Sequence, residues 1–170
     1  MANIISSSLN NLLKFFRTSK TNKKHVIYVT LLSAFYRFAT LHLPFKWISP
    51  HLGVHKGKTE LSLLTTPRQE LRAWKTGNFV EKVCDKMPWE AKCLIKAYVL
   101  RIYLDRYKIP YVLHLGLAKG DENSDKPLLA HTWVTVGRYT VAGGDGHQPP
   151  ANFTVIGTYI SANLKDSIVI

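Results

Sequence analysis

At 170 residues, with 46% hydrophobic and 11% aromatic content, the chain has the size and composition of one folded domain and not of a disordered segment. Its two cysteines, Cys84 and Cys93, make no CxxC motif and no disulfide framework, which suits a reducing, cytoplasmic compartment. The net charge of +12 is concentrated early: residues 1–60 hold Lys14, Arg17, Lys20, Lys23, Lys24, Arg37, Lys46, Lys56 and Lys58 against Glu60 alone.

Such a segment suits nucleic acid, a membrane surface or an acidic peptide, and equally a plain solvated face. Residues 1–11 carry no basic n-region, so no secretory signal is expected there. No stretch reaches the roughly 18–20 uncharged apolar residues that a bilayer span needs. The expectation is a soluble protein, with a peripheral membrane contact left open. The division expected is a basic, helical region over 1–60 and a catalytic core over 61–170.

In chain order, Leu9, Leu12, Leu13, Phe15 and Phe16 predict a short amphipathic helix within 1–19, and the polar, basic 19–24 reads as a connector. Residues 25–43 are apolar nearly all round and predict a helix buried against others, ended by Pro44. Pro50, Gly53 and Gly57 make 45–58 loop-rich, with a short helix around 46–52. Thr66, Pro67 and Gln69 spell a helix start: a hydroxyl cap, a proline in the first turn and the third-position partner of a capping box. That helix is expected to run to Trp74, pause at Thr76-Gly77, and restart after Asn78 over 79–86.

Pro88-Trp89-Glu90 then precedes the most apolar helix of the chain, expected over 90–107 and broken by Pro110. Strands follow at 111–118, 128–136 and 139–142, with a last one at 153–159, separated by Gly- and Asp-bearing turns over 119–126 and 143–150. Helices first and an antiparallel sheet afterwards predict the α+β class.

Cys93 falls in the opening turns of the central helix, where free N–H groups and the positive end of the helix dipole stabilise a thiolate. A cysteine in an apolar helix is otherwise a small core residue. His131 lies in Leu-Ala-His-Thr-Trp-Val, where it would serve either as a buried core histidine or as the base that pairs with the thiol. Asp145, in Gly-Gly-Asp-Gly, is a turn residue by composition and an orienting acid for His131 by position. Cys84 has no His or acid at matching spacing and reads as structural. His114 alternates along its strand and reads as a core or surface residue. No metal-ligand spacing, phosphate-binding loop, dinucleotide fingerprint or nucleic-acid motif is present, so neither cofactor, metal nor nucleic acid is expected.

Thiol, imidazole and acid in this order, the thiol opening a helix and the others on following strands, is the arrangement of papain-like and transglutaminase-like thiol enzymes. The pieces Pro88-Trp89…Cys93-Leu94, Ile109-Pro110, the strand over 112–117, Ala130-His131-Thr132-Trp133-Val134 and Gly143-Gly144-Asp145, with the preamble ending Leu43-Pro44-Phe45, resemble the lasso-peptide biosynthesis B proteins. These are transglutaminase-like cysteine proteases that remove the leader from a ribosomally made precursor.

The resemblance implies a transglutaminase/papain-like core, with Cys93 as nucleophile, His131 as general base and acid, and Asp145 as the orienting acid. It implies cytoplasmic leader removal by a stand-alone protease, a separate leader-recognition protein and a macrocyclising enzyme as partners. The basic first segment would then engage the recognition protein or an acidic stretch of the precursor. Two rival readings keep the fold: an acyltransferase or amidase that passes the same acyl-enzyme to an amine, and a non-catalytic scaffold. A third makes the chain a basic nucleic-acid or membrane-surface module.

Overall fold

The computed structural model describes residues 20–120, 127–144 and 148–162. The helix expected within 1–19, most of the turn over 119–126 and Asp145 lie outside the described residues.

Helix α1 spans Lys20–His42, so residues 20–24 are its first turn and not a connector. Its inward face buries Val26, Val29, Ser33, Tyr36 and Ala39. Its outward face is not buried, contrary to expectation, although it is equally apolar. Leu43 and Pro44 close it, and a short helix α2 (Phe45–Ile48) and a 3-10 turn (Ser49–Leu52) follow.

Helix α3 spans Pro67–Cys84. The capping box is formed: the Thr66 hydroxyl accepts from the Gln69 N–H at 3.3 Å, and Gln69 Oε1 accepts from the Thr66 N–H at 2.9 Å. The expected pause at Thr76-Gly77 does not occur. Gly77 stays helical because α3 lies directly on a strand there: a Cβ built on Gly77 would land on the carbonyl oxygen of Val141. The glycine marks a close approach of two backbones, not a break.

Helix α4 spans Cys93–Arg106, starting three residues later than expected, so that the thiol occupies its first position. It is the core of the molecule: Ile95, Ala97, Tyr98, Val99, Leu100, Tyr103 and Leu104 are all buried. Tyr36 of α1 stacks on Tyr98 with ring centres 4.5 Å apart, and the Tyr98 hydroxyl donates to the Ile48 carbonyl at 2.8 Å. Residues from α1 and α2 thus share one continuous hydrophobic core with α3, α4 and the sheet.

The strands are β1 (Val54–His55), β2 (Val112–Lys119), β3 (Leu128–Val136), β4 (Tyr139–Ala142) and β5 (Thr154–Ile160). They form one sheet in the order β1-β5-β2-β3-β4, with every neighbour antiparallel. The final strand therefore inserts between β1 and β2. The register pairs Leu113 with Val134 on the face that shares the core with α4, and His114 with Trp133 and Gly116 with His131 on the other. The class is α+β, a central helix packed on an antiparallel sheet, as the order of elements predicted.

Candidate active site

The chain enters α4 through Lys92, an extended residue (φ −61°, ψ 165°) whose side chain makes no capping hydrogen bond. Its carbonyl already accepts from the N–H groups of Ile95 and Lys96 at 2.9 and 3.2 Å. The first-turn N–H groups of Cys93 and Leu94 precede that ladder, so no helix carbonyl reaches them. Cys93 is half-buried. In the same turn, Lys96 Nζ lies 2.6 Å from Asp85 Oδ1, tying the thiol-bearing end of α4 to the end of α3.

The second cysteine has a different environment. Cys84 is 2% exposed in the hydrophobic core, and burial pushes its thiol up to about 12, with Lys96 opposing weakly. It is a structural thiol, as its lack of partners implied. Trp89, four residues before Cys93, carries a buried indole N–H with no hydrogen-bond partner among the described residues. An orphaned buried donor costs about 1–3 kcal/mol unless something comes to accept from it.

His131 stands on β3, its ring 5.2 Å from that of Phe153 and 6.3 Å from that of Trp133, nearly parallel to the latter. Its Nε2 lies 2.6 Å from the carbonyl oxygen of Gly143. A carbonyl can only accept, so Nε2 carries the proton and Nδ1 holds the free lone pair. The ring is thereby set in the tautomer a general base needs.

Gly143 is held in turn. Its N–H donates to Glu81 Oε1 on α3 at 3.0 Å, and its φ of +74° is a left-handed conformation that a side chain would strain. A Cβ there would also collide with the Thr132 carbonyl of β3. The structure thus brings Glu81, Gly143 and His131 into one chain of contacts.

Cys93 and His131 stand on elements that pack on each other, α4 and β3, but His131 is on the sheet face turned away from α4, with Trp133 and Phe153. No hydrogen bond joins the two side chains among the described residues. Sequence reasoning missed Glu81 and the Gly143 carbonyl. The first is an ordinary exposed-face glutamate by pattern. The second is a main-chain atom, which no residue type announces.

His114 is a core residue. It is 4% exposed, stacked on Trp133 at 5.3 Å, with its Nδ1 3.4 Å from the Thr158 hydroxyl. Burial lowers its pKa to about 4, so it is neutral near pH 7.

Residues 39–158 match the family model of the transglutaminase-like superfamily, a span from the end of α1 into β5 that includes Cys93 and His131. The chain belongs to that superfamily, whose members are commonly cysteine proteases or acyltransferases. Comparison with curated proteins and with solved structures gave no match. No helix among the described residues is long and apolar enough to cross a membrane.

Proposed function

We propose that this chain is a cysteine peptidase that removes the leader from a ribosomally made lasso-peptide precursor. Superfamily membership supports acyl transfer through a thiol, and the Ala-His-x-Trp-Val and Pro-Trp…Cys-Leu pieces, which resemble the lasso-peptide B proteins, suggest the substrate. The observation that carries the chemistry is the 2.6 Å contact of His131 Nε2 with the Gly143 carbonyl, which leaves Nδ1 as the base of a domain whose central helix opens with a thiol.

In this reading Cys93 gives its proton to Nδ1 of His131, a step that requires the ring to reach the α4 side of the sheet from the face it shares with Trp133. The thiolate sulfur attacks the carbonyl carbon at the leader–core junction. The oxyanion is met by the Cys93 N–H and one further donor. Collapse breaks the C–N bond, and the imidazolium protonates the departing core amine. His131 then takes a proton from water, whose oxygen displaces the sulfur and releases the leader as a free acid. The amine set free is the one a macrocyclising partner enzyme consumes. In this reading Asp145, two residues beyond Gly143, is the orienting acid that stabilises the imidazolium.

The test is mass spectrometry of a synthetic leader–core precursor incubated with the chain and a leader-recognition protein. Leader acid and free core, absent with Cys93→Ala and with His131→Ala, support the reading. A product joined to an added amine in place of the leader acid moves it to an acyltransferase. Turnover that persists with Cys93→Ala overturns the assignment of the nucleophile.

A further inference from the structure

Helix α1 is apolar on both faces. Inward, Val26, Val29, Tyr36 and Ala39 fill the core. Outward, Ile27, Leu31, Phe35, Phe38 and Leu41 recur at the spacing of one helix face and are 48–64% exposed. This stripe is about 20 Å long at the usual helical rise. The next turns of chain, in α2, add Phe45 and Trp47, 46% and 63% exposed. A solvated surface helix would carry polar residues outward, so a face of this kind is built to be covered.

Its surroundings identify what covers it. No Asp or Glu occurs before Glu60, whereas Lys23 and Lys24 stand exposed at the start of α1, Arg37 lies along it, and Lys46 separates the two exposed aromatics of α2. Aliphatic and aromatic side chains on helices that carry cations and no acid of their own complement a surface whose interior is hydrocarbon and whose rim is negative. We propose that the outward face of α1, with Phe45 and Trp47, is a docking surface for an anionic lipid bilayer. The helix lies in the interface plane with its stripe among the acyl chains and its lysines among the headgroups. A protein partner of mixed charge would ask for acidic groups on the rim as well as basic ones. The surface is separate from Cys93 and His131, and it stands or falls independently of the cleavage reaction.

The test is flotation of the full chain with vesicles of phosphatidylcholine alone or with about a third phosphatidylglycerol. The expected result is binding to the anionic vesicles that falls several-fold on raising salt, as surface charge is screened. Leu31→Glu with Phe38→Glu should abolish it and Lys23→Glu with Lys24→Glu should weaken it. Both pairs are exposed, so unchanged circular dichroism and thermal melting would show the fold intact. No flotation with either vesicle overturns the proposal, as does flotation that the Leu31→Glu, Phe38→Glu variant retains. Sedimentation of the wild type as a dimer that this variant dissociates, without vesicle binding, would assign the face to a second copy. Loss in the same variant of binding to a leader-recognition protein, again without vesicle binding, would assign it to that partner.

Discussion

Nε2 of His131 and the carbonyl oxygen of Gly143 are 2.6 Å apart, and that contact decides which nitrogen of the imidazole can act as a base. Because the Gly143 N–H is anchored 3.0 Å from Glu81 Oε1, a carboxylate on α3 sets the position of a ring on β3 through one peptide unit. Among the described residues, the group that holds the ring is a main-chain carbonyl that an acid in turn holds in place.

The proposed reaction makes Glu81 a positioning residue. Glu81→Ala should lower kcat between about 10- and 100-fold, the cost of a small misplacement of a reacting group, with KM little changed. Glu81→Gln keeps an oxygen that can accept from Gly143 and should recover most of the rate. Steady-state kinetics on the precursor peptide reads both. Equal loss in the two variants would mean that the charge of Glu81 matters and not its acceptor oxygen.

Much of this architecture was legible in the sequence. The bounds of β3 and β4 match expectation because alternation and a Gly-Arg turn mark them locally. The capping box at Thr66 has the local chemistry of a helix start. Long-range contacts were what the sequence hid. Gly77 signals a break unless one knows that Val141 crosses it. Strand β1 is two residues long and exists only through its pairing with Ile160 and Tyr159. In the site, Cys93 and His131 were visible as residue types, whereas Glu81 acts on a backbone 62 positions away.

Gly77→Ala tests that long-range reading. With α3 and β4 in backbone contact, the added methyl must push them apart and should cost at least about 2 kcal/mol, or roughly 5 °C or more in melting temperature. Were the glycine a simple helix interruption, alanine would instead stabilise the chain.

His114 gives the fold a pH dependence of known sign. Its pKa is about 4 when folded, lowered by burial from an ordinary 6.5. The unfolded chain therefore binds the extra proton first as pH falls. The neutral ring's contribution is complete above about pH 6.5 and is lost progressively toward pH 4, a total on the order of 3 kcal/mol. Thermal melts across that window should fall more steeply for wild type than for His114→Gln, and parallel curves would contradict the assignment.

The central claim, that Cys93 and His131 act as a pair, is tested most directly by iodoacetamide labelling of both cysteines across pH, read by peptide mass spectrometry. The account predicts that Cys93 is labelled near pH 6 much faster than a free peptide thiol, and that His131→Ala removes this advantage. Cys84, raised to about 12 by burial, should stay unlabelled in the folded chain. Labelling of Cys93 at the rate of a free thiol, or unchanged by His131→Ala in the presence of a leader-recognition protein and precursor, would contradict it.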